Sequence, residues 1–110
     1  MTAAQTQTVP ADVLQRLVRS LAPDSVVLFG SRARSAARPS SDIDLLLVGA
    51  WSMDPAQLLR HARHLVAHSF PRVDLVLCTP EDVAAAEAGR APFLRSILES
   101  GVVIYQRGCP

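Results

Sequence analysis

Apolar residues recur along the chain with two different periods. From Ala11 to Leu21 they fall at Val13, Leu14, Leu17, Val18 and Leu21, the spacing of one face of an amphipathic helix. Pro10 stands near its start, where proline is tolerated. Pro23 and Asp24 punctuate a turn, and Val26-Val27-Leu28-Phe29 reads as a short buried strand. Ile43 to Val48 predicts a second strand. Its apolar side chains fall on both faces, so helices are expected to cover both sides of that part of the sheet. Asp54-Pro55 opens a helix, with the carboxylate as N-cap and proline in the first turn. It is expected to run to about His68, burying Leu58, Leu59, Ala62, Leu65 and Val66, with Pro71 beyond its end. Val73 to Cys78 forms a third strand, and Thr79-Pro80-Glu81-Asp82 starts another helix. Pro92 opens a last helix with Phe93, Leu94, Ile97 and Leu98 inward and Gly101 at its end. Val102 to Tyr105 predicts a fourth strand, at an edge.

Strands alternating with helices predict an α/β (α+β) fold with a small mixed central sheet flanked by helices. A chain of 110 residues suits one compact domain, expected over residues 10–107, with tails at 1–9 and 108–110. Apolar residues make up 49% and charged residues 19%, the balance of an ordinary soluble protein, and no run is long enough for a membrane span. The first residues carry no basic cluster followed by an apolar run, so no signal peptide is expected. Two cysteines, one inside an apolar run and one beside the end, do not make a disulfide framework, and a reducing cytoplasm is the expected location. Net charge is +1, which provides no global field to recruit nucleic acid, and no direct nucleic-acid binding is expected. Every basic residue is arginine. Without lysine there is no Schiff-base chemistry, and phosphates must be met by guanidinium or backbone N–H groups.

Three features converge at the ends of the expected strands. Gly30-Ser31 follows the first strand directly; glycine permits a sharp exit, and the N–H groups beyond it can face an anion. Alone, such a pair after a strand is usually just a turn. Asp42-Ile43-Asp44 enters the second strand, and residues at i and i+2 point to one face, so two carboxylates project together. Their repulsion raises one pKa unless a cation sits between them, and hard oxygen ligands select Mg²⁺ or Mn²⁺. A solvated strand end is the alternative. Asp74 stands in the third, otherwise apolar strand. Either an ion pair with Arg72 or Arg90, or metal ligation beside Asp42 and Asp44, satisfies it.

Gly30-Ser31, ten residues, then Asp42-x-Asp44 and a later strand carboxylate together resemble the signature of the polymerase-β-type nucleotidyltransferase superfamily. The stretch from Leu28 through Ser31-Arg32-Ala33-Arg34 to Asp42-Ile43-Asp44-Leu45-Leu46 resembles the minimal nucleotidyltransferases (MNT) encoded beside HEPN-domain partners. Val73-Asp74-Leu75-Val76 and the ending from Phe93-Leu94-Arg95 to Gly101-Val102-Val103-Ile104-Tyr105 are similar too, so the resemblance spans roughly Val13 to Tyr105. It implies a nucleotidyltransferase fold and transfer of a nucleoside monophosphate, AMP from ATP, with two Mg²⁺ ions (or Mn²⁺) held by Asp42, Asp44 and Asp74. Asp74 is then a ligand on the acceptor side and a candidate base. Gly30 and Ser31 would hold the β- and γ-phosphates, with Arg32, Arg34, Arg38 and Ser41 as further nucleotide-binding candidates. The implied partner is a HEPN ribonuclease toxin in a hetero-oligomer, modified on a tyrosine and silenced, which makes the chain an antitoxin. A small-molecule acceptor of the aminoglycoside kind, or a module that neutralises its partner by contact alone, are the other readings.

His61, His64 and His68 share one helical face at a possible metal-ligand spacing, although that face lies away from the apolar stripe and suits a solvated surface. Trp51 and Met53 follow the second strand and either pack over the end of the domain or anchor a partner. Tyr105 is expected at the core edge.

Overall fold

The computed structural model describes residues 9–33 and 41–108, and its elements follow the hydrophobic periods closely. In chain order they are α1 (Ala11–Leu21), β1 (Ser25–Phe29), β2 (Ile43–Val48), α2 (Pro55–Leu65), β3 (Val73–Cys78), α3 (Pro80–Glu87), α4 (Pro92–Ser100) and β4 (Val102–Gln106). The four strands form one mixed sheet in the order β3-β2-β1-β4. β1 runs antiparallel to both β2 and β4, while β2 and β3 are parallel. A parallel neighbour needs a crossover, and α2 supplies it between β2 and β3.

Alternation along the strands divides the core into two layers. Val26, Leu28, Ile43, Leu45 and Leu47 face Val13 and Leu17 of α1 and Val66 after α2. Val27, Leu46, Val48 and Cys78 face Ala86 of α3 and Leu94 and Ile97 of α4. Leu45, Leu46 and Leu47 are all fully enclosed, so β2 is buried on both faces as its continuous apolar run predicted. Each such leucine removes enough apolar surface from water to contribute ~1.5–3 kcal/mol, which makes β2 the least replaceable strand.

The helix starts behave as their residues dictate. The Asp54 carboxylate accepts from the N–H groups of Ala56 and Gln57 at 3.1 and 3.3 Å, with Pro55 in the first turn of α2. At α3, Thr79 and Asp82 form a reciprocal capping box: the Asp82 N–H donates to Thr79 Oγ1 at 3.1 Å, and the Thr79 N–H donates to the Asp82 carboxylate at 3.0 Å.

Three details depart from the sequence reading. α2 stops at Leu65 rather than near His68, because the N–H groups of Val66 and Ala67 reach back only three residues, to Arg63 and His64, and the last turn tightens. Phe93 is 67% exposed. The buried stripe of α4 runs through Leu94 and Ile97, and Phe93 lies about a quarter-turn off it at 3.6 residues per turn. Gly101 does end α4, but with an extended backbone (φ −80°, ψ 167°) rather than a left-handed one. What it provides is room: a Cβ there would sit 2.5 Å from Val27 Cγ1 and 2.6 Å from the Ile97 carbonyl oxygen.

Trp51 packs over the end of the sheet. Its indole N–H donates to the Cys78 carbonyl at 2.8 Å, and its ring occupies the space a Cβ on Gly49 would need. Tyr105 packs at the margin of the first core layer, as expected. Among the described residues no helix is long and apolar enough to cross a membrane.

Candidate active site

The antiparallel β1–β2 pair puts the end of β1 beside the start of β2, with Phe29 opposite Asp44. Gly30 follows at once with φ +76°, a left-handed backbone that an L side chain rarely adopts. A Cβ on Gly30 would lie 2.2 Å from Asp44 Oδ2, so the absent side chain also clears the space this carboxylate fills. Ser31, Arg32 and Ala33 continue as a turn. The parallel β2–β3 pair puts Asp74 directly across from Asp44, both on the α3 and α4 side of the sheet. The ends of three strands therefore meet at one place.

Asp42 lies just before β2 and is exposed, whereas Asp44 is half-buried. Burial raises the Asp44 carboxyl above the usual carboxylate range, and the negative charges of Asp74 and Asp42 push it in the same direction. Asp74 is not sealed in an apolar strand; its side chain is 42% exposed and pairs with Arg72 at 3.1 Å. Of the two arginines considered as partners, Arg72 is the one in contact. It stands two residues earlier and so on the same side of the chain.

Arg32 has a structural partner as well as a place beside the site. Its Nε and Nη2 donate to the Ser41 carbonyl at 3.1 and 2.8 Å, fastening the residue after Ser31 to the residue before Asp42. Arg34 and Arg38 lie outside the described residues. His61, His64 and His68 are all exposed, and His68 falls beyond the end of α2, so the three do not share a helix face as the spacing had suggested.

The donor set suits a hard divalent cation: carboxylate oxygens, one of them destabilised in its charged form, and among the described residues no cysteine or histidine stands at the end of β1 or the starts of β2 and β3. Among the described residues no three acidic, histidine or cysteine side chains close around a single point. Arg72 holds Asp74 instead, an exposed pairing that is weak enough to exchange. A cavity of about 530 Å³ lies toward the other end of β3, lined by Trp51, Met53, Leu58, Leu77 and Thr79. It is mostly apolar, with Asp82 on its wall, and lies away from Asp42 and Asp44.

Two features near the site escaped the sequence reading. Phe70, in the loop leading to β3, is 79% exposed. Arg63 lines a groove that reaches Asp74. The signal for Arg63 was available, since from Pro55 to Val73 the chain carries arginine and histidine but no acid.

This arrangement of a mixed sheet with a glycine turn and acidic strand ends defines a class. Residues 11–104 match the nucleotidyltransferase domain family, and the chain belongs to it. In fold, it is similar to a crystal structure from Sulfolobus solfataricus provisionally described as a nucleotidyltransferase. The TM-score is 0.61 at 21% identity, over 96% of this chain and 86% of that one. No curated protein matched the sequence. The protein is thus a transferase of the nucleotidyltransferase type, and domains of this family generally use an NTP and divalent metal ions.

Proposed function

We propose that this chain transfers AMP from ATP to a hydroxyl of a protein acceptor, and that the acceptor is a tyrosine of a HEPN-domain ribonuclease toxin, silenced by the modification. The observation that carries the catalytic part is the cross-strand pair Asp44 and Asp74, with Asp42 two residues before Asp44 and Gly30 against its carboxylate. The partner assignment is supported by the resemblance of Leu28 to Leu46 and of Val73 to Val76 to the MNT proteins.

Asp42, Asp44 and Asp74 would hold two divalent cations, which when bound stabilise charge on the attacking and leaving oxygens of an in-line displacement. The acceptor oxygen forms a bond to the α-phosphorus, the bond from that phosphorus to the bridging oxygen breaks, and pyrophosphate leaves. Asp74, next to the edge of the sheet, would take the acceptor's proton. Gly30 and Ser31 offer N–H and hydroxyl donors to the terminal phosphates, and Arg34 and Arg38 belong to the segment that follows. Positioning and electrostatics supply most of the catalysis, since charge builds on oxygen throughout.

The direct test is incubation with ATP, Mg²⁺ and the protein encoded by the adjacent gene. The expected result is a mass increase of one or more AMP groups on a partner tyrosine, abolished by Asp42→Asn with Asp44→Asn. A partner that is inhibited but unmodified would favour silencing by contact. A labelled aminoglycoside modified in its place would favour a small-molecule acceptor.

A further inference from the structure

On the side of Asp74 away from Asp44 the sheet ends, because β3 is an edge strand. There the last turn of α2, the segment after it and β3 enclose a groove of about 470 Å³, lined among others by Arg63, Val66, Ser69, Arg72, Asp74 and Leu75. Arg72 is 75% exposed beside Asp74, and Arg63 forms no ion pair among the described residues. Arg60 and Arg63 line a second hollow on the outer face of α2, and the exposed Phe70 stands in the loop before Arg72. Across these elements no acidic residue intervenes between Asp54 and Asp74, although the whole chain carries a net charge of only +1. This flank therefore carries Arg60, Arg63 and Arg72 with no acid among them until Asp74, and it leads to the carboxylate end of the sheet.

We propose that this groove is the acceptor's docking surface, and that it fits a protein segment in which the hydroxyl to be modified is flanked by acidic side chains. The proposal rests on the catalytic reading above and adds the chemistry of the acceptor. Guanidinium groups pair with carboxylates through two parallel hydrogen bonds, and the exposed Phe70, two residues before Arg72 in the same loop, offers an apolar contact. A carboxylate arriving at Arg72 competes with Asp74 for the same guanidinium. Docking an acidic acceptor thereby frees Asp74 for its own role. A nucleic acid would also bring anions, but it would need a basic stripe following an extended backbone. Arg63 and Arg72 instead bound a short groove, with Arg60 beside Arg63 on the neighbouring hollow.

The test uses a fluorescein-labelled random copolymer of glutamate and tyrosine, bound to the whole protein without NTP and followed by anisotropy. The wild type is expected to bind it, with affinity falling as salt rises, and to ignore a lysine–tyrosine copolymer. Arg60→Glu with Arg63→Glu should weaken binding by about tenfold or more, as reversal of docking charges does, with an unchanged circular dichroism spectrum. Arg90→Glu, a charge reversal elsewhere on the surface, should leave binding as it was. Absence of binding, or binding indifferent to the double reversal, overturns the proposal. So does tighter binding of a single-stranded RNA oligonucleotide that depends on the same two arginines. Because no NTP is present, the Asp42→Asn, Asp44→Asn protein should bind the copolymer like the wild type. If docking behaves as expected and no AMP is ever transferred, the catalytic reading falls and the docking surface stands.

Discussion

Gly30 and Asp44 occupy each other's space: a Cβ on the glycine would lie 2.2 Å from the carboxylate oxygen Oδ2. Gly30→Ala therefore has two separable effects. The left-handed backbone at φ +76° costs an L residue about 1–2 kcal/mol, measurable by urea unfolding. The methyl group also turns the Asp44 carboxylate out of its position, so nucleotide transfer should fall by at least a hundredfold, roughly the loss expected when a catalytic group is misplaced by an ångström. Activity near wild type in a folded Gly30→Ala protein would mean that Asp44 is not needed where it stands.

Asp44 links the site to stability through pH. Its carboxyl is raised by burial first, then by Asp74 and Asp42, so the fold holds this proton more tightly than the unfolded chain does. A group raised in this direction contributes stability that is present below its unfolded pKa and is lost as pH rises through the folded value. At neutral pH the charged Asp44 is consequently a cost. Asp44→Asn should be at least as stable as the wild type at pH 7 while being inactive, and that advantage should disappear in acid below the ordinary Asp range. Urea titrations at the two pH values decide it; a variant markedly less stable at pH 7 would contradict the charge repulsion.

A divalent cation offsets the same repulsion from outside. Binding only to the folded state stabilises it by mass action, ~2.7 kcal/mol at a concentration a hundred times Kd. Thermal melts with Mg²⁺ or Mn²⁺ and ATP should shift upward for the wild type and stay in place for Asp42→Asn with Asp44→Asn. Equal shifts in both proteins would move the cation elsewhere.

Gly101 makes a contrasting case, since its backbone is one that any residue adopts. Gly101→Ala forces a methyl group against Val27 and the Ile97 carbonyl, and overpacking of this kind costs about 1–3 kcal/mol. The loss should appear in unfolding curves, with little change in transfer by the protein that remains folded.

Cys78 is buried at the end of β3, and burial, aided by the nearby Asp82 charge, pushes its thiol up to about 11. The reactive thiolate is scarce at neutral pH. In a Cys109→Ser background, iodoacetamide should leave Cys78 unmodified in the native protein and label it fully in urea, as read by intact mass.

The strands were legible because their apolar runs are short and bounded by Pro, Gly and Asp, and β2 announced burial on both faces through Leu45-Leu46-Leu47. The glycine turn and the three carboxylates were legible as a pattern of spacing, and the sheet register brings them together, with Phe29 opposite Asp44 and Asp44 opposite Asp74. What periodicity misses is whatever depends on the third dimension. The end of α2 is set by the tightening of its last turn, and Phe93 differs from Leu94 by one helical step. The steric fit of Gly30 to Asp44 joins residues that are neighbours only across the sheet. The choice of Arg72 over Arg90 as partner for Asp74 was within reach, since residues two apart on a strand share a face.

The edge position of β3 has a consequence for how such a domain changes. Gly30 and Asp44 are locked together by two paired strands, so few substitutions there leave the nucleotide side intact. Asp74 has a strand on one flank only, and its other flank is formed by surface residues of α2 and the loop after it. Apart from Val66, those residues carry little of the core. The exposed ones can be exchanged without disturbing the strands, so under the proposed docking a new acceptor would be recruited by rewriting a helix surface while the reaction itself is kept.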